Sequence, residues 1–263
     1  MFRAFKNTFL FLILSFIYLP IIILIVYSFN SGDSGFIWQG FSLKWYKEIF
    51  ASSQIKSAIF NTILIATISS LTSVIIGIIG AYAIYKAENK KLKTILLSVN
   101  KITIINPDIV TGISLMTFYS AIKMQLGFST MLMSHIIFST PYVVIIIFLK
   151  LYSLPNNIID AAKDLGASET QIFFNIIYPE IVGNIATGAL IAFTLSIDDF
   201  LISFFTTGQG FNNLAILINS LTKRGIKPVI NAISAILFFT ILSLLFIINK
   251  FIGIKKLTTD AEL

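Results

Sequence analysis

The sequence predicts an all-α integral membrane protein with six transmembrane helices. Three observations predict it. Of the 263 residues, 56% are hydrophobic and 12% are charged, about half the charge that a water-soluble domain carries. The mean hydropathy is +0.90. The apolar residues also gather into six runs, at 8–30, 57–85, 94–122, 124–149, 181–207 and 228–249, each near or above the roughly 20 residues that a helix needs to cross a bilayer. With no repeat or linker between them, residues 1–263 read as a single transmembrane domain.

The first run, Thr8 to Asn30, carries no charge. It exceeds the roughly 7–15 apolar residues of a signal peptide and no small-residue cleavage site follows, so a retained helix is expected, kinked at Pro20. The second, Ser57 to Tyr85, contains Gly77 and Gly80, a pair suited to close helix packing. The third, Thr94 to Ile122, is interrupted by Lys101 and Asp108, and Pro107 removes a backbone hydrogen bond beside Asp108. The fourth, Met124 to Leu149, has His135 as its one ionisable group, expected to make a structural hydrogen bond. The fifth, Ile181 to Thr207, holds Asp198 and Asp199. The sixth runs from Pro228 to Asn249.

Lys and Arg near the spans orient the chain. With the N-terminus inside, Arg3, Lys6, Lys86, Lys90, Lys91, Lys93, Lys101, Lys150, Lys163, Lys250, Lys255 and Lys256 face the cytoplasm, twelve of the nineteen basic residues. Both termini and the 150–180 segment are then expected to be cytoplasmic, and 30–56 and 208–227 external. Trp38, Phe41, Trp45 and Tyr46 suit an interfacial layer at the outer surface.

The composition excludes several chemistries. With no cysteine and one histidine there are no disulfides, Cys-ligated metals or His clusters. No G-x-x-x-x-G-K-[ST] loop occurs to cradle a nucleotide's phosphates, and no nucleophile–base constellation is visible. The net charge of +7 lies mainly between apolar runs, where it reports topology and lipid headgroups rather than nucleic acid. The chain reads as a conduit and not an enzyme, with its energy arriving from elsewhere.

The 150–180 segment predicts a helix, a glycine turn and a second helix. Pro155, Asn156 and Asn157 supply a turn and an N-cap. Ile158, Ile159, Ala161, Ala162 and Leu165 form an apolar stripe at helical spacing. Gly166 ends the first helix. Ser168 starts the second with Gln171 at capping-box spacing, and Pro179 is expected to limit it. On periodicity alone this is equally an amphipathic connector lying on the membrane.

The residue order points further. Asp160-Ala161-Ala162, Gly166 and Ile176-Ile177-Tyr178-Pro179 resemble the EAA signature of ABC-importer permeases, with Asp for the family's Glu and Tyr178 for its Leu. Trp38-Gln39-Gly40-Phe41, Lys44-Trp45-Tyr46, Pro107-Asp108-Ile109-Val110, Gln125-Leu126-Gly127-Phe128 and Phe193-Thr194-Leu195-Ser196 followed by Asp198-Asp199 resemble the PotC-type permeases of spermidine/putrescine importers, in matching order along nearly the whole chain. The resemblance implies a type I ABC importer permease fold with cytoplasmic coupling helices, in a bacterial inner membrane. It implies a second homologous permease chain, a pair of ATPase subunits and an extracytoplasmic polyamine-binding protein as partners. Asp160, Ala161, Ala162, Gly166, Glu169, Ile176 and Pro179 would couple the chain to the ATPase. No cofactor is expected on this chain, with ATP and Mg on the partner ATPase.

Carboxylates within spans are expensive and face a cavity or a partner. A polyamine needs carboxylates spaced along a path with aromatic faces between them. Asp108, Asp198 and Asp199 are the candidate carboxylates, Trp45 and Tyr46 the aromatic faces, and Thr194 and Ser196 further hydrogen-bonding groups. In straight helices rising 1.5 Å per residue, Asp108 and Asp198 lie roughly 20 and 25 Å from the cytoplasmic side. Other readings stay open. Asp108 caps a helix fragment at Pro107 or pairs with Lys101, Lys123 or His135; Asp198 and Asp199 are solvated or hold a neighbouring helix; Trp45 and Tyr46 are membrane-belt anchors. An importer of another small solute and an ion-coupled secondary transporter are the alternative functions.

Overall fold

The computed structural model describes the backbone of residues 2–35, 37–225 and 227–260, and the side chains of 8–246 except 36, 156 and 226. The side chains of Arg3, Lys6, Asn156, Lys250, Lys255 and Lys256, used above for topology and capping, lie outside that set. The helices are α1 (Phe2–Tyr27), α2 (Lys44–Ala51), α3 (Ser53–Lys86), α4 (Lys90–Ile105), α5 (Asp108–Ala121), α6 (Phe128–Tyr152), α7 (Asn156–Asp164), α8 (Glu169–Ile172), a π-helical turn at Phe173–Ile177, α9 (Tyr178–Asp198), α10 (Leu201–Thr206), α11 (Leu214–Lys223) and α12 (Pro228–Asp260). Among the described residues, the one β pairing is an isolated bridge between Asn30 and Phe41. By length and composition five helices suffice to cross a membrane, or six if the bent pair α4–α5 counts as one span.

The contacts form two compact units, residues up to Ala58 with Leu217–Ile247, and Ile59–Ile216. In the first unit, α1 is exposed from Thr8 to Pro20. The segment after it folds around Asn30. That amide accepts from the Gly32 and Gln39 N–H groups at 3.3 and 2.8 Å and donates to the Ser34 and Ile37 carbonyls at 3.0 and 2.7 Å. Trp45 Nε1 donates to the Asn30 carbonyl at 2.6 Å. Lys44 bridges to Asp33 at 2.9 Å, and this hydrogen bond and charge hold the Asp33 carboxyl below the usual carboxylate range.

The second unit is centred on α6. Val143, fully buried, sits between two glycines. A Cβ on Gly77 of α3 would lie 2.6 Å from its Cγ1, and one on Gly188 of α9 would lie 3.1 Å away. A larger residue at Gly77 forces a shift and one at Gly188 needs Val143 to give slightly; of the Gly77 and Gly80 pair, Gly77 is the one in close packing, a Cβ on Gly80 making only ordinary contact with Val144 at 3.4 Å.

The 150–180 segment is the expected helix, turn and helix. Ala167 N–H bonds to the Ala162 carbonyl and Gly166 N–H to the Lys163 carbonyl, at 3.0 and 2.8 Å, the paired bonds of a Schellman cap. Gly166 takes φ +80°, a conformation other L-residues adopt only with strain. Ser168 and Gln171 form the reciprocal capping box. Ile159, Ile172 and Ile177 pack into the same buried cluster as Ile147 and Leu151, which fastens the segment to α6.

Two expectations fail here, for Pro179 and for the fifth span, while the open reading of a helix fragment starting at Pro107 is the one observed. Pro179 does not limit the second helix. The chain stays helical from Glu169 to Asp198 because the π turn, with Tyr178 N–H bonded five residues back to Phe173, widens the ladder where proline's ring would clash and its N–H is missing. The third span is not one rod. Asn106 and Pro107 are extended, with ψ 132° and 137°, and α4 and α5 meet at 105°, because a residue before proline is driven from the helical region. The fifth span also breaks, at Asp199–Phe200. Both straight-rod depths for Asp108 and Asp198 are therefore replaced by the positions at these two breaks.

Candidate functional site

The two breaks face one cleft. Asp108 lies in the first turn of α5, Asp198 ends α9 and Asp199 follows it. Together with Phe138 and Tyr142 of α6 and Thr194 and Leu195 of α9 they line an open cavity of about 180 Å³. Gly112 of α5 allows the close approach of α10, since a Cβ there would lie 3.0 Å from Phe205 and 3.3 Å from the Leu201 carbonyl.

The three carboxylates differ in their commitments. Asp108 and Asp198 are exposed, and neither has an ion-pair partner among the described residues. Asp198 also stands where the C-terminal carbonyls of α9 present the negative end of the helix dipole. The Asp199 side chain is 6% exposed, and both its oxygens are engaged. They accept from the Ile202 and Ser203 N–H groups at 3.1 and 2.7 Å, which supplies the N-terminal donors of α10 with acceptors.

The remaining expected residues divide. Thr194 is in the cleft. Ser196 is buried and turned into the helix interface, with its hydroxyl 2.6 Å from His135 Nδ1 and accepting from Ser69 at 3.2 Å. Trp45 and Tyr46 belong to the first unit. The Trp45 indole is 3% exposed with Lys44 over its face at 4.6 Å, and Tyr46 bonds Ser28 at 2.7 Å and packs on Phe29. Their rings are committed to local packing. The aromatic rings lining the cleft with the carboxylates are Phe138 and Tyr142, which sequence reasoning missed. Their signal was an i, i+4 aromatic pair beside Pro141 in the fourth span.

In the 150–180 segment, Asp160, Ala161, Gly166, Glu169 and Pro179 are exposed and Ala162 and Ile176 are half-buried. Glu169 is tied to Lys86 of α3 at 2.5 Å and to Lys163 at 3.8 Å. Of the apolar stripe read in the sequence, Leu165 is 89% exposed beside the Gly166 turn and Ile158 is 50% exposed on α7.

Residues 73–254 match the family described as the binding-protein-dependent transport system inner membrane component. This chain belongs to that family. The permease is 37% identical over 246 residues to the spermidine/putrescine transport system permease protein PotC of Escherichia coli strain K12, covering 94% of this chain and 92% of that one. It is 32% identical over 229 residues to the putrescine transport system permease protein PotI of the same strain, covering 85% and 82%. These relatives bear out the PotC-type resemblance read in the sequence. Among solved structures it is similar to a chain of a bacterial ABC transporter involved in the import of the acidic polysaccharide alginate, with a TM-score of 0.75 and 17% identity over 96% of this chain and 94% of that one. That likeness shows the fold, an all-helical type I ABC importer permease.

Proposed function

We propose that this permease carries polyamines, spermidine or putrescine, across a bacterial inner membrane by alternating access, as one subunit of an ATP-driven importer. It pairs with a second, homologous permease chain and receives substrate from an extracytoplasmic polyamine-binding protein. ATP and Mg are held by a separate pair of ATPase subunits, and this chain performs no hydrolysis. Both of its termini are cytoplasmic. The 160–179 loop docks on the ATPase through Leu165, with Ile158 just before the loop, and Asp160, Ala161, Ala162, Gly166, Glu169, Ile176 and Pro179 set its shape.

The observation that carries the substrate is the cleft of Asp108, Asp198, Tyr142 and Phe138 in a chain akin to PotC. Two carboxylates without ion-pair partners among the described residues, and two aromatic rings lining the same cleft, complement a flexible chain of ammonium groups. Asp108 and Asp198 are the ammonium ligands, and Thr194 adds a hydroxyl.

The test is uptake of labelled polyamine by the reconstituted complex, with diamines and anions as competitors. Asp108→Asn and Asp198→Asn each raise KM at least about fivefold, the effect of a unit charge pair near 4 Å even at water's dielectric constant, while basal ATPase activity persists. Uptake unchanged in both variants, or competed by anions instead of diamines, overturns the proposal.

A further inference from the structure

His135 is fully buried and has no part in the cleft's lining. It stands on α6 opposite the break in the fifth span and reaches both sides of it. Its Nδ1 lies 2.6 Å from the Ser196 hydroxyl, in the last turn of α9. Its Nε2 lies 2.9 Å from the Ser203 hydroxyl, in the first turn of α10, and 3.6 Å from Asp199 Oδ2 between them. Ser203 also accepts from Asn213 at 2.8 Å, and its own N–H donates to Asp199. Each ring nitrogen meets a hydroxyl that can donate or accept, so either neutral tautomer keeps both contacts: one nitrogen accepts from its serine and the other donates to its own.

We propose that His135 is a positioning residue for the ammonium site. It clamps the end of α9 to the start of α10, so that Asp199 is held as the cap of α10 and Asp198, one residue earlier, is left directed into the cleft. The division of labour between two adjacent carboxylates follows from this clamp. A ring with two hydrogen-bonding edges is what the geometry requires, and an apolar residue of similar volume supplies neither edge.

The protein contains no cysteine, which permits a readout that does not depend on the substrate. Leu195→Cys places one thiol in the cleft, three residues before Asp198 and so roughly 5–6 Å from it on the helix face. In the assembled complex, the ratio of labelling rates for a cationic and a neutral methanethiosulfonate reagent reports the carboxylate's field. Adding His135→Leu or Ser203→Ala lowers that ratio about threefold, the influence of one charge at about 6 Å in water. His135→Gln, whose amide replaces Nε2, restores most of it. General loosening of the fold speeds both reagents alike and leaves the ratio unmoved. An unchanged ratio in both His135→Leu and Ser203→Ala overturns the clamp, whatever the substrate. The uptake arm alone rests on the polyamine reading: with the thiol left out, Ser203→Ala raises the KM for spermidine at least threefold with kcat nearly constant. Equal losses of KM and kcat overturn the positioning role. A wild-type complex that imports no polyamine overturns the substrate reading, while the labelling ratio still decides the clamp.

Discussion

Replacing Gly166 probes the turn between α7 and α8 in isolation from steric effects. Its φ is +80°, and a Cβ built on it meets nothing within 4 Å. A new side chain therefore finds open space, and what opposes it is the left-handed backbone, roughly 1–2 kcal/mol for an L-residue. That is a factor of about 5–30 in the population of the native turn. Both Schellman bonds, to Ala162 and Lys163, are lost together when the turn opens. Asn tolerates this conformation better than other residues, and β-branched residues tolerate it least. In proteoliposomes carrying the whole importer, the measurement is ATP hydrolysed per polyamine imported. Gly166→Val raises that ratio about tenfold, Gly166→Ala less, and Gly166→Asn stays near wild type. A Val variant with wild-type stoichiometry, or an order in which Asn is worst, refutes the reasoning.

Gly77→Val brings side-chain atoms against Val143 and lowers the melting temperature of the purified complex; Val143→Ala in the same chain recovers most of the loss, since the conflict is one of volume. Tyr142→Phe keeps the aromatic face of the cleft and leaves the KM for polyamine within about twofold, whereas Tyr142→Ala raises it by about 2–30-fold, the range of a cation–π contact. Asn30→Ala removes four hydrogen bonds at about 1 kcal/mol each and exposes the 31–42 loop to proteolysis, read by the rate of cleavage in the intact complex. Glu169→Gln breaks the exposed bridge to Lys86, a contact of at most about 1 kcal/mol, so it changes coupling less than Gly166→Val and does so only at low salt.

Much of this was legible in the sequence because hydropathy and capping are local. The apolar runs became helices, Gly166 the turn, Ser168 and Gln171 the box, and Asp108, Asp198 and Thr194 met in one cleft. The failures have a common cause. An apolar run reports its solvent and not its backbone, so the breaks inside the third and fifth spans were hidden within it. Pro107 signalled the first. The second has no proline or glycine, and its signal was an acid three residues before Ile202, the spacing at which a carboxylate accepts from a helix's first N–H groups. Ser196 faces the interface because the hydroxyl was needed by His135, a partner 61 positions away that no periodicity reveals. Pro179 was read as a stop because local rules place proline at helix ends, while a π turn removes that obstacle without a distinctive composition.

The consequence of that turn reaches beyond the 150–180 segment. Because Glu169 to Asp198 is one uninterrupted helix of 30 residues, about 45 Å long at 1.5 Å per residue, the polypeptide that leaves the Gly166 turn is the same rod that delivers Asp198 to the cleft. No loop or hinge intervenes to absorb a displacement. A shove at one end of such a lever either arrives at the other or is taken up at the π turn, the single place where the ladder is already wide enough to yield.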